Sequence, residues 1–152
     1  MNAMLVALAV DDARGLAASE PDELIECFES GVDIENAWAA VGWLFLRCGL
    51  THDPIIGGDD VIGEDFGYGP LTLFTPALVS DLATQMASIT TDDLSRTLDL
   101  DELHAASTYP DVWDRASEAD ENRSWILDAA HAVAELYSSA AVTGSAIVTL
   151  IA

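Results

Sequence analysis

Apolar residues fall in short blocks along the chain, and the spacing within each block assigns an element. Residues 4–10 are apolar without alternation and stop at Asp11 and Asp12, the length and flanks of a buried strand. SEPDELIECFESG reads as a helix. Ser19 suits its cap, Pro21, Asp22 and Glu23 its first turn, and Gly31 the position after its end. Leu24, Ile25 and Phe28 form its apolar face. In DIENAWAAVGWLFLRCG, Ile34, Trp38, Val41, Phe45 and Cys48 recur at three and four, the period of one buried stripe, with Asp33 as cap and Gly49 as stop. Trp43 and Leu44 widen that stripe, which predicts a central helix.

The second half follows the same logic. Residues 71–74 form a short strand, and Thr75-Pro76 starts a helix with a cap followed by Pro at its first position. Leu78, Val79, Leu82, Met86 and Ile89 give that helix its stripe. Two short capped helices begin near Thr91 and Asp99, TYPDVW is a Pro turn, and SEADEN is polar and solvated. The longest helix covers about residues 123–142, with Trp125, Ala129, Val133, Leu136, Tyr137 and Ala140 on one face and Gly144 at its end. SAIVTLIA is all apolar, as a strand in the middle of a sheet should be. Strands at the two ends of the chain with helices between them predict a helix-rich α+β single domain over residues 1–152. Its N- and C-terminal strands should be adjacent in a small sheet.

Charge changes the picture more than composition does. The 152 residues carry 27 Asp and Glu against 5 basic residues, all Arg, for a formal net charge of −22. Nucleic-acid affinity comes mainly from neutralising phosphates with Lys and Arg, so this surface argues against nucleic acid and against anionic membranes. The bland reading of the acids is a solvated, soluble surface; the sharper one is a basic protein partner. MNAMLVALAV has no basic n-region and runs straight into DDAR, which argues against a signal peptide. AIVTLIA is far shorter than the ~20 residues of a membrane-spanning helix. A soluble cytoplasmic protein is the expectation. Cys27 and Cys48 form no C-x-x-C pair, and each sits in an apolar helical register, so both are expected to be reduced and buried.

The stretch GGDDVIGEDFGYGPLTLFTP, residues 57–76, poses the functional question: ligand cradle or structural corner. An EF-hand counted from Asp59 fails, with Val61 at its third position and Gly63 at its fifth. No P-loop or dinucleotide fingerprint is present, and no Lys or Arg within the stretch could hold a phosphate. The glycines read as turn chemistry, with Gly67 or Gly69 at positive φ and Tyr68 packed inward. Asp101 with His104 and Asp128 with His131 have the D-x-x-H spacing of helical metal ligands. The further inward glutamates of a di-iron site do not stand out, so no metal and no cofactor are expected. Cys48 and His52 are at most half of a zinc site. No serine lies in G-x-S-x-G, and neither Cys has an obvious activating neighbour, so no catalytic residue is assigned.

The order of motifs carries a resemblance. The D-I-x-x-A-W helix start, the G-Y-G-P turn leading to the T-P cap, the Y-P-x-x-W segment and LYSSAAVTGSAIVTLIA together resemble the YfbM-like family. These are small bacterial proteins with a domain of unknown function. The likeness covers nearly the whole chain and implies an α+β domain, without an activity, substrate or cofactor. Where the family usually has Leu-His after that Trp, this chain has Val41-Gly42, so no polar role of a His carries over. The resulting expectation is a non-enzymatic, inhibitor- or immunity-type module for a basic protein partner. The alternative is a metal-dependent hydrolase or small-ligand domain. A ligand cleft, if present, is expected to be lined by Asp65, Tyr68, Tyr109 and Trp113.

Overall fold

The computed structural model describes residues 1–63, 65 and 69–152. Strand β1 (Ala3–Leu8) is followed by a short helix α1 (Val10–Gly15), a 3-10 turn (Leu16–Ala18) and α2 (Pro21–Glu29). Then come β2 (Val32–Asp33), a 3-10 turn (Glu35–Ala37) and α3 (Trp38–Arg47). The strands β3 (Asp60–Ile62) and β4 (Leu71–Phe74) precede α4 (Pro76–Ala87), α5 (Thr91–Thr97) and α6 (Leu100–Ala105). A 3-10 turn (Ala116–Glu118) leads into the long α7 (Ala119–Thr143), and β5 (Ala146–Ile151) closes the fold.

The strands form one five-stranded antiparallel sheet in the order β2-β1-β5-β4-β3. The two terminal strands are adjacent, running from Ala3 opposite Ile151 to Leu8 opposite Ala146. The fold is α+β, as the segregation of apolar blocks predicts.

Alternation splits the core between the two faces of the sheet. Ala3, Leu5, Phe74 and Ile147 face a large cluster built with α3, α4 and α7, where Val41, Leu44, Phe45, Leu82, Val133 and Tyr137 are buried. Val6, Leu73, Val148 and Leu150 face a smaller cluster closed by Ala13, Leu16, Leu24 and Phe28 of the α1–α2 segment. With both faces covered, β5 must be apolar throughout, which explains its continuous run. Thr149 is the exception, buried with no hydrogen-bond partner for Oγ1 among the described residues.

Several boundaries differ from the sequence reading for identifiable reasons. Val10 starts a helix rather than ending a strand, because Asp11 and Asp12 supply an acidic first turn. The cap of α2 is Glu20, in a reciprocal box with Glu23, rather than Ser19. Asp33 belongs to an edge strand paired with Met4, so α3 begins only at Trp38. Helix α7 starts at Ala119, so part of the stretch read as solvated is its first turn. The cysteines are free, but each is only half-buried. Cys27 lies at the margin of the smaller cluster, and Cys48 at the end of α3. Burial still pushes the Cys27 thiol upward.

Residues 57–63 and 69–76 build a corner. A side chain at Gly58 would meet the Leu73 carbonyl oxygen at 2.4 Å, so the close backbone approach requires glycine. Asp59 accepts from the Thr75 amide at 2.8 Å and from its hydroxyl at 2.6 Å, tying the corner to the start of α4. Asp60 pairs with Arg14. Gly69 has φ of +106°, and its amide donates to Asp65 at 2.8 Å. Tyr68 and Gly67 lie outside the described residues.

Candidate functional site

An open cleft of about 790 Å³ lies between the 3-10 turn before α3, the 107–113 loop and the first turns of α7. Its position follows from the fold. Strand β2 delivers the chain at Asp33 to a sharp turn, where the Asp33 carboxylate accepts from the Glu35 amide at 2.8 Å. Glu35 there adopts φ of +49°, which a residue other than glycine holds only when its surroundings enforce it. The opposite wall is the 107–113 loop. Ser107 and Asp111 also have positive φ, and the Tyr109–Pro110 bond is cis. The loop is anchored from below by Trp113, 2% exposed, whose indole N–H donates to the Thr108 carbonyl at 2.7 Å.

Glu35, Glu118, Glu121 and Asp128 supply carboxylates to the lining, while Pro110, Val112 and the half-buried Trp125 supply apolar surface. Trp125 also lines an adjoining hollow with Asp33 and Glu35 from the β2 segment and Asp128 of α7, so it shares its surroundings with carboxylates from two elements. Arg115 reaches Glu118 at 3.3 Å. The other arginines are engaged elsewhere: Arg14 with Asp60, Arg47 with Glu102, Arg96 with Asp93, and Arg123 on the carbonyls of Leu98 and Ser95.

Two amides in the lining are incompletely paired. Asn122, 6% exposed on α7, has no acceptor among the described residues for its Nδ2. Asn36, on the facing 3-10 turn, has no donor for its buried Oδ1. Nearby, the buried Trp38 Nε1 is also without a partner, and the Trp38 ring stacks on Tyr109 with centroids 5.7 Å apart. Buried polar groups are hydrogen-bonded in the great majority of cases, and the orphaned oxygen of Asn36 and amide of Asn122 are complementary to each other across the two elements that form the cleft.

Of the residues expected to line a ligand cleft, Tyr68 lies outside the described residues, and Asp65, Tyr109 and Trp113 are not in the lining of the cleft. Asp65 is exposed and accepts from Gly69 in the corner. Tyr109 stacks on Trp38 and its hydroxyl accepts from the Met1 amino group at 2.9 Å. Trp113 lies in the core beneath the loop. Their neighbours Pro110 and Val112 form the lining instead. Sequence reasoning missed Asn36, Glu121 and Asn122. The legible signal was the acidic first turn of α7, with Asp120 and Glu121, which places those side chains on a helix rather than in a solvated loop.

The D-x-x-H pairs do not converge. His104 contacts Asp111 at 3.0 Å, His131 contacts the Thr91 hydroxyl at 3.3 Å, and Asp128 lines the cleft. Among the described residues no three His, Cys, Asp or Glu groups are placed to hold a metal ion. No helix there is long and apolar enough to cross a membrane.

A second polar cluster underlies α3. Gly42 packs against Asp53, whose Oδ2 lies 2.2 Å from where a Gly42 Cβ would be. Asp53 Oδ1 accepts from the amides of Ile55 and Ile56 at 2.8 and 3.2 Å. Burial raises its carboxyl above the ordinary range, against the pull of those two amides. Tyr137 is fully buried and donates to the Pro54 carbonyl at 2.8 Å. Burial first, then Asp53 and Asp59, holds its hydroxyl well above the ordinary range. Every member has a protein partner, so this cluster is part of the framework.

A five-stranded antiparallel sheet with helices on both faces and an acidic cleft at the head of its longest helix defines the class as an α+β domain. Residues 7–150 match the family model described as a domain of unknown function, DUF1877, and the chain belongs to that family. The crystal structure of YfbM from Escherichia coli, a protein of unknown function, has the same fold. It superposes with a TM-score of 0.66 at 16% sequence identity, covering 100% of both chains. No curated protein matches the chain.

Proposed function

We propose that the protein is a non-enzymatic binding module whose cleft receives a basic segment of a partner protein. The observation that carries this reading is the rim itself: Glu35, Glu118, Glu121 and Asp128 line the cleft together with Pro110, Val112 and Trp125, no Lys or Arg is among the described lining residues, and Arg115 pairs with Glu118. Such a rim steers a positively charged partner by long-range attraction and disfavours an acidic one by like-charge repulsion. The cleft volume, about 790 Å³, is within the range of specific ligand sites and large enough for one or two side chains. The hydrolase alternative lacks comparable support, because the D-x-x-H histidines are separately engaged.

The test is capture of partners on immobilised protein at moderate salt, beside a Glu121→Gln/Asp128→Asn variant. The expected result is a basic protein retained saturably, with retention falling about tenfold or more in the variant, as loss of close charge pairs does. Retention of polycations alone without saturation, or retention the variant leaves intact, would remove the cleft from this role.

A further inference from the structure

We infer that the Asp60 side chain closes the free edge of the sheet against a further strand, and that the strand it keeps off is β3 of a second copy of the chain. This is independent of the cleft and of the binding-module reading. Among the described residues the sheet ends at β3, whose three residues pair on one side only, with β4. A strand in that position presents unpaired backbone donors and acceptors to any other strand. Val61, opposite Thr72, is 61% exposed, and its amide donates to Asp60 Oδ1 at 2.9 Å. Along an antiparallel pair, residues alternate between bonding the opposite residue and facing away from it. An amide given to the neighbouring carboxylate is not spent on Thr72, so Val61 is the residue of β3 whose backbone faces off the sheet.

The other carboxylate oxygen is held as well. Arg14, in the last turn of α1, donates to Asp60 Oδ2 at 3.0 Å. With one oxygen on the guanidinium and the other on the Val61 amide, the Asp60 side chain is fixed along the edge. A strand adding there would bring a carbonyl oxygen to the Val61 N–H. It would find the donor taken and meet the Asp60 oxygen, acceptor against acceptor. A second copy is the occupant the edge itself specifies, because antiparallel pairing of β3 with β3 about Val61 is self-complementary. Each Val61 would exchange both backbone bonds with the other across a two-fold axis, and the two exposed β-branched side chains would lie side by side. The net charge of −22 keeps copies apart at low salt whatever the edge does. The contact at Asp60 therefore matters where salt screens that charge.

The test uses the whole protein with its Asp60→Asn and Asp60→Ala variants at about 0.1 M salt, where the screening length falls to about 10 Å. It reads amide hydrogen exchange at Val61 and self-association by sedimentation velocity over a concentration series. In the parent, the Val61 amide should exchange about tenfold or more slowly than an open amide, the scale of one hydrogen bond to a charged acceptor. Asp60→Ala should lose that protection and add a self-association that grows with concentration. Asp60→Asn also lacks the charge but keeps a side-chain oxygen for the Val61 amide, and should follow the parent in both readouts. Adding Val61→Pro to Asp60→Ala removes the edge donor and should return association to the parent level. An unprotected Val61 amide in the parent overturns the proposal, whether or not Asp60→Ala folds. It is also overturned if Asp60→Ala associates no more than the parent, or if the Asn and Ala variants associate equally, which would assign the effect to charge. Association that persists with Val61→Pro places the contact elsewhere and overturns the choice of β3.

Discussion

Gly42 is the residue at which the chain departs from the Leu-His pattern it otherwise resembles, and the structure supplies the reason. The space of a side chain there is occupied by the Asp53 carboxylate. An alanine in a helix interior ordinarily gains about 0.5–1 kcal/mol over glycine. Here its Cβ would stand 2.2 Å from Asp53 Oδ2, and Asp53 is held by two backbone amides. Overpacking of that kind costs about 1–3 kcal/mol, so Gly42→Ala should lower stability in chemical denaturation despite the better helix former. Asp53 and Asp59 then make opposite pH predictions. The folded-state carboxyl of Asp53 is raised, so the folded protein binds its proton more readily. The Asp53 contribution to stability falls as pH rises from the ordinary carboxylate range through the raised value. Burial alone would raise Asp59, but the Thr75 hydroxyl and amide, with His52, bring it below the ordinary value. Its contribution is present above the ordinary range and is lost as pH falls through the depressed value. Melting curves of Asp53→Asn and Asp59→Asn across the acid range should therefore diverge from the parent in opposite directions. Parallel curves would show that one of these environments is misassigned.

At the scale of elements, what sequence could reveal depended on how local the deciding interaction is. The capped helix starts near Thr91 and Asp99 and the stop at Gly144 are fixed by near neighbours, while the Thr75-Pro76 start of α4 and the long apolar run of β5 carry a strong local signal even though Asp59 and the flanking strands hold them in place. Each was legible. Strands β2 and β3 were not, because their two and three residues exist only through pairing with distant partners. The cleft was illegible for the same reason: Asn36 and Asn122 are separated in sequence and meet only through the packing of the 3-10 turn on α7. The Gly-rich corner was readable as turn chemistry because glycine conformation is local. Gly69, at φ +106°, has open space around its missing side chain, so the cost of Gly69→Val is backbone strain alone. That strain is about 1–3 kcal/mol and should appear as a lower melting temperature. An unchanged melting temperature would mean that the corner relaxes at no cost.

The whole molecule carries its charge as a single-sign field. The ion pairs among the described residues are exposed, and such pairs contribute only about 0–1 kcal/mol each, so they do not offset a net charge of −22. Folding brings the carboxylates closer together, and their repulsion opposes the compact state. Chloride salt shortens the screening length from about 30 Å at about 0.01 M to about 10 Å at about 0.1 M. If screening over that range recovers about 1 kcal/mol, the melting temperature of a chain this size rises by roughly 2–4 °C, with most of the gain at the low end. The same titration near the sequence pI of about 4.1 separates this cause from a general salt effect, because there the net charge is small and the gain should shrink towards zero. Partner capture follows the field in the opposite sense: association with a basic protein should slow as salt rises, since screening weakens the steering that brings the two together. A melting temperature that climbs equally at both pH values would mean that salt acts on the apolar surface instead, and that the acid excess places little strain on the fold.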